Sequence, residues 1–171
     1  MIVNAQGKPY SKRDGAAFVG DFREKGYLPD ALLNFLALLG WSPGENRELM
    51  SRQEMIELFD LGRVKSAAAQ MSMDKFNWMN GEYMRRMPDA DFEAGCRKAL
   101  SGLVSDTPDP STFKAVLVLM RERVKLFSDI ANDGAFFFTE NYPVDEAAFR
   151  KCVLKEGIPA RLAELKDRLA A

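Results

Sequence analysis

Apolar residues recur along most of this chain at steps of three and four, the spacing of one face of a helix. Over residues 29–39, Leu32, Leu33, Phe35, Leu36 and Leu39 form a stripe wide enough to predict a helix buried on most sides. Pro29 suits its first turn and Gly40 its stop. Ser51 and Glu54 have capping-box spacing, and Met55, Ile56, Leu58 and Phe59 follow as the apolar face of a second helix. Phe76, Met79, Tyr83 and Met87 predict an amphipathic helix over 74–87, ended by Pro88. Four more patterns lie beyond it. Phe92, Cys96, Leu100 and Leu103 mark the first, and Phe113, Val116, Leu117, Met120, Val124 and Phe127 the longest, behind Asp109 as N-cap and Pro110. Phe149, Cys152 and Val153 mark a third, closed by Gly157, and Leu162, Leu165 and Leu169 a fourth behind Pro159.

Two stretches lack this rhythm. Residues 4–15 are polar, basic and punctuated by glycine, and predict a loop. Residues 64–69 fit a strand or a turn of helix equally well. The expected architecture is therefore mainly α, with at most a small sheet in a first part and an all-helical second part, the boundary lying near Pro88. No internal repeat or low-complexity tract interrupts it.

At 171 residues, 47% apolar and 29% charged, the chain has the composition of a globular protein. Lys and Arg number 24 against 25 Asp and Glu, so no global positive field advertises nucleic acid. Histidine is absent, which excludes His-based acid–base pairs, Ser-His-Asp and Cys-His nucleophile systems and the commonest transition-metal ligand. Cys96 and Cys152 are far apart and outside any C-x-x-C pattern; they read as reduced thiols on helix core faces, with no metal site. Apolar runs are too short to span a bilayer and no signal peptide is recognisable, which points to the cytoplasm.

Charge is nevertheless unevenly distributed. Residues 63–86 carry Arg63, Lys65, Lys75, Arg85 and Arg86 against Asp74 and Glu82, whereas 126–149 carry five acids and no base. Such segregation fits a directional contact with a polyanion or simply a solvated charged face. Trp41, Trp78 and Tyr83 could stack on nucleotides or face a core, and Phe136-Phe137-Phe138 suits a core or domain interface. Near the start, Gly7-Lys8-Pro9-Tyr10-Ser11-Lys12-Arg13-Asp14-Gly15 gathers three cations and a hydroxyl between flanking glycines. Phosphates favour such a loop, since lysine supplies a point charge, arginine a fork and glycine close backbone approach. A solvated basic loop has the same composition, and the Walker A spacing is missing.

The order Ser11-Lys12-Arg13-Asp14-Gly15, followed by Gly26-Tyr27-Leu28-Pro29 and continuing to Gly40-Trp41-Ser42-Pro43, resembles bacterial glutamyl-tRNA synthetases. The resemblance runs from their class I signature loop into the stem-contact domain. It continues through Phe59-Asp60-Leu61-Gly62-Arg63-Val64-Lys65-Ser66 and Met73-Asp74-Lys75-Phe76-Asn77-Trp78-Met79-Asn80. It is more diffuse over 88–171, where Leu119-Met120-Arg121-Glu122-Arg123-Val124-Lys125 is similar to the first anticodon-binding bundle. The resemblance implies a signature loop and connection over 1–27, a stem-contact-like helical domain over 28–87 and a partial anticodon-binding bundle over 88–171.

In that family ATP and glutamate condense to glutamyl-adenylate, and the acyl group then passes to the terminal ribose of tRNA(Glu). By this resemblance Ser11, Lys12 and Arg13 bind the ATP phosphates, with Lys12 the catalytic cation that neutralises charge growing on pyrophosphate. Pro9 departs from the family pattern, which has lysine there; Lys8 stands one residue earlier. Arg63, Lys65 and Lys75 are the implied contacts to the tRNA backbone. The family's nucleotide-binding domain, with its His-rich first signature and glutamate pocket, precedes this loop, and a second helical bundle follows the region matched here. The chain thus reads as a fragment of a monomeric enzyme that uses ATP with Mg2+, the fragment by itself binding no cofactor and contacting no membrane. A freestanding helical RNA-binding or assembly module without ligase activity is the alternative.

Overall fold

The amino terminus is tied down by a short parallel ladder in which β1 (Ile2–Val3) pairs with β2 (Ala69–Gln70), Ile2 opposite Ala69 and Val3 opposite Gln70. A computed structural model of the chain describes residues 1–15, 18–101, 109–139 and 144–170. Between the two strands lie α1 (Val19–Glu24), α2 (Pro29–Leu38) and α3 (Arg52–Leu58). After β2 come α4 (Met73–Arg86), α5 (Asp89–Leu100), α6 (Pro110–Arg121) and α7 (Phe127–Asp133), then α8 (Glu146–Cys152) and α9 (Ile158–Ala170). The mainly α architecture with one small sheet is thus observed among the described residues. The chain divides into two units, Met1–Phe138 and Thr139–Ala171.

Several helix starts are chemically determined. Ser51 accepts a hydrogen bond from the Glu54 amide while Glu54 accepts from the Ser51 amide, so two orphan donors at the head of α3 are satisfied reciprocally. Asp109 accepts from the amides of Ser111 and Thr112, with Pro110 opening α6. Ser72 caps α4 through the Lys75 amide.

In the first unit, Phe76 on α4 is fully buried and stacks between Tyr27 and Phe35, with ring centroids 4.3 and 4.7 Å away. Phe22, Leu32, Met71 and Met79 complete that core. Removing one such buried side chain from water is worth about 1.5–3 kcal/mol. A second core joins Met84, from the far end of α4, to Phe92 and Cys96 of α5, Phe113 and Leu117 of α6, and Ile130 of α7. Leu28 packs against both cores, and α4 contributes to both. Trp41, Met50 and Met55 make a smaller third cluster. Within the second unit, Asp145 caps α8 through the Ala148 amide, and Glu164 pairs with Arg168 one turn on along α9.

The structure corrects several expectations. α2 buries Ala31, Leu32, Asn34 and Phe35, but Leu33 and Leu36 remain 42% and 40% exposed, because α3 and α4 pack on it without enclosing it. On α3, Met55 is buried whereas Ile56 and Phe59 are exposed. The helix predicted to run through Phe127 stops at Arg121. There the amides of Arg123 and Val124 both turn back to the Met120 carbonyl, and the Asp129 carboxylate collects the amides of Lys125 and Leu126 to start α7. Val124 keeps its burial because the turn folds it into the same core, so helical spacing in the sequence concealed the break. Residues 64–69 are neither a full strand nor a full helix: a 3-10 turn at Leu61–Arg63 is followed by extended chain ending in β2. Cys96 is buried as expected and Cys152 is exposed. Trp41 is buried, Trp78 is partly exposed, and of the three consecutive phenylalanines Phe138 packs on Phe113 while Phe136 and Phe137 stay largely open. Leu103 and Glu140 lie outside the described residues.

Candidate functional site

The basic loop grows out of β1, and its organiser is Asn4. Its amide oxygen accepts from the backbone amides of Gln6 and Lys8, both at 3.0 Å, while its own backbone amide donates to the Lys8 carbonyl at 2.8 Å. Its side-chain NH2 group then reaches ten residues onward, donating to Asp14 Oδ1 at 2.7 Å. Asp14 closes a second knot with Oδ2, which accepts from the Ser11 amide and the Ser11 hydroxyl, each at 2.9 Å. These hydrogen bonds, from Asn4 first and then Ser11, hold the Asp14 carboxyl below its usual range.

The turn so formed is a 3-10 segment, Lys12–Asp14, with Ser11 as its N-cap. Its two cations face outward. Lys12 and Arg13 are exposed and make no ion pair with a described residue, although the Lys12 ammonium lies 5.2 Å from the centre of the Phe18 ring. Lys12, Gly15, Phe18 and Lys25 line an open depression whose rim also carries Asp21 and Glu24. Pro9 bridges to Val3 across the hairpin-like turn, and Lys8 is exposed beyond it. A turn that presents two exposed cations with no ion-pair partner among the described residues can receive phosphate oxygens.

The second group of expected site residues is only partly assembled. Arg63 and Lys65 line one shallow cleft with Ser42, Pro43, Gly44 and Glu45. The Arg63 guanidinium donates to the Pro43 carbonyl, and the Lys65 backbone amide donates to the Gly40 carbonyl at 2.8 Å, which leaves the lysine side chain in solvent. Lys75 is not in this cleft: its ammonium is paired with Glu48 at 2.6 Å. Arg85, also counted in the basic stretch, pairs with Glu82.

Three asparagines and an aspartate escaped the sequence reading. Asn34 is fully buried and accepts from the Met50 amide at 2.9 Å and the Tyr83 hydroxyl at 2.7 Å. Asn80, equally buried, accepts from the Leu28 amide at 2.9 Å. Asn4 has the Asn-x-x-Gly spacing of a β-turn, closed by the Gly7 amide on the Asn4 carbonyl, but that pattern does not reveal its reach to Asp14; Ser11 and Asp14 have the S-x-x-D spacing of a capping box, a signal already present in the sequence.

Two family models account for this arrangement of loop and helices. One, described as tRNA synthetases class I (E and Q), catalytic domain, matches residues 1–78, and the other, described as an anticodon binding domain, matches residues 82–171. Over residues 82–171, more than half its length, the chain belongs to the anticodon-binding domain family, and residues 1–78 match the catalytic domain of class I tRNA synthetases of the E and Q type. Its relatives are more particular still. The glutamate–tRNA ligase of Moorella thermoacetica is 36% identical over 178 residues, covering 99% of this chain and 36% of that protein. That of Xanthomonas euvesicatoria is 38% identical over 171 residues, covering 100% of this chain and 36% of the relative. A crystal structure of a glutamate tRNA ligase from Elizabethkingia meningosepticum superposes with a TM-score of 0.80 at 32% identity, over 100% of this chain and 37% of that one. The chain therefore spans about a third of the length of the relatives it matches.

Proposed function

We propose that this chain supplies the ATP signature loop and part of the tRNA-binding surface of a glutamate–tRNA ligase. The observation that carries this reading is the placement of Lys12 and Arg13, outward and unpaired among the described residues, on a turn fixed from within by Asn4, Ser11 and Asp14. Residues 1–27 form the loop and its connection, 28–87 the stem-contact part and 88–171 the first anticodon-binding bundle. Lys12 holds the phosphates of ATP and neutralises charge as pyrophosphate departs, and Arg13 adds a second cation. Ser11, whose hydroxyl proton is given to Asp14, shapes the turn.

Arg63 and Lys65 lie against the phosphate backbone of tRNA(Glu), a contact that positions without reading sequence. Lys75 reaches a phosphate only where that phosphate displaces Glu48. Among the described residues no three His, Cys, Asp or Glu side chains gather to hold a metal ion. No helix among them is long and apolar enough to cross a membrane. The likeness to glutamate–tRNA ligases supports reading the protein as a monomer of the cytoplasm.

The test is glutamate-dependent ATP–pyrophosphate exchange. The 171-residue chain by itself should be inactive, because one cation cannot replace the positioning of both substrates. In the natural full-length protein, Lys12→Ala should lower kcat by about two to three orders of magnitude, the effect of one lost transition-state donor. An unchanged rate would overturn the reading.

A further inference from the structure

The two cations of the loop are exposed and make no ion pair among the described residues; the Lys12 ammonium meets only the Phe18 ring, 5.2 Å from its centre. What fixes them is behind them. Asn4 spends every polar group on the loop: its oxygen on Gln6 and Lys8, its backbone amide on the Lys8 carbonyl, its NH2 on Asp14. Asp14 in turn uses one oxygen for Asn4 and the other for the amide and hydroxyl of Ser11, so Lys12 and Arg13 sit between Ser11 and the carboxylate that holds it. The root of the clamp does not wander, because Ile2 and Val3 are paired to Ala69 and Gln70 and Val3 is buried.

We infer that Asn4 and Asp14 are positioning residues for the reaction, a donor–acceptor pair that aims Lys12 and Arg13 at the phosphates before ATP arrives. This rests on the ligase reading above. A cation held in place beforehand needs no reorganisation as charge develops, whereas one on a loose loop must be ordered during the reaction. The contact has a definite polarity: the asparagine NH2 donates and the carboxylate accepts. Asn4→Asp alone sets carboxylate against carboxylate, and Asp14→Asn alone either sets donor against donor or deprives Ser11 of its acceptor. The exchanged pair, Asn4→Asp with Asp14→Asn, restores one donor and one acceptor across the contact and leaves oxygens facing the Gln6, Lys8 and Ser11 amides.

The experiment measures pyrophosphate exchange in the natural full-length protein carrying Asn4→Asp, Asp14→Asn, the exchanged pair, Lys12→Ala, and each single change combined with Lys12→Ala, with thermal melting as a check on folding. The expected result is a loss of about tenfold or more in kcat for each single change, within the range that misplacement of a catalytic group produces. The exchanged pair should recover most of that loss, and each single change should slow the Lys12→Ala protein by clearly less than it slows the unmodified one, since Arg13 is then the one cation left to misplace. If Lys12→Ala slows the reaction but the single changes do not, the inference fails while the ligase reading stands. Equal losses in both backgrounds, or no recovery in the exchanged pair, also overturn it, because a residue needed only for folding behaves that way. If Lys12→Ala changes nothing, the ligase reading itself fails.

Discussion

The side chain of Asn80, in the middle of α4, donates its NH2 group to the backbone carbonyl of Lys125, forty-five residues away in the turn between α6 and α7. On its other side the same amide accepts from the Leu28 backbone at the head of α2. One fully buried group therefore joins the segment that follows the basic loop to the helical bundle.

Asn80→Ala should destabilise the protein by about 2–3 kcal/mol, since it leaves a buried amide and a carbonyl without partners. Asn80→Leu should recover little, because filling the space does not satisfy those groups. Urea unfolding of the 171-residue chain, comparing midpoints at constant slope, measures both.

Gly95 lies where α5 meets α7, and a Cβ placed there would stand inside the Phe127 ring. Gly95→Ala should cost about 1–3 kcal/mol through overpacking. Combined with Phe127→Leu, which moves the obstructing ring, the two changes should cost less than their sum. A double-mutant cycle on thermal or urea stability decides this, and strict additivity would contradict the contact.

The Tyr83 hydroxyl lies within hydrogen-bond reach of two acceptors, Asn34 Oδ1 and the Met50 carbonyl, which share its one proton. Burial first, and then the nearby Asp30 carboxylate, push its pKa up to about 12 from an ordinary 10.0. Above about pH 10 the unfolded chain therefore releases this proton while the folded protein keeps it, so stability falls as pH rises towards 12. Below pH 10 Tyr83 adds no slope. Tyr83→Phe should flatten that part of the stability–pH curve, and an unchanged slope between pH 10 and 12 would contradict the assignment.

For RNA, replacing Arg63 and Lys65 together by Ala should reduce the slope of log K against log salt for tRNA binding by about 0.7–0.9 per lost phosphate contact. Lys75→Ala should change it less, because Glu48 holds that ammonium at 2.6 Å, a closer pairing than the 3.9 Å between Arg63 and Asp60. A folded double variant that retains the original slope would mean the two residues of the cleft are only solvated charges.

Much of the fold was readable because helix starts have local chemistry. Pro29, the Ser51 and Glu54 pair and Asp109 with Pro110 all stand where the sequence predicts. The end of α6 was not readable, since Val124 keeps both the helical interval and the burial of a core residue while the backbone turns beneath it. Polar letters misled in a similar way. Asn34 interrupts an apolar run, yet it is buried because Met50 and Tyr83 arrive from distant parts of the chain to satisfy it. At the candidate site the cations of the loop were legible from composition, but the contact that orders them spans from Asn4 to Asp14 and belongs to no periodicity. Counting charges along 63–86 likewise missed that Lys75 and Arg85 meet Glu48 and Glu82.

The two family models meet between residues 78 and 82, inside α4. Phe76 and Met79 of that helix belong to one core and Met84 to the other, so the seam between the two family models falls within a helix shared by both cores. Hybrids spliced there would inherit two half-helices whose apolar faces were shaped for different neighbours, and neither core would close. Exchange of the anticodon-binding part between relatives should succeed only when all of α4 travels with one donor and the residues that Asn80 holds at its middle, Leu28 and Lys125, come from that same donor.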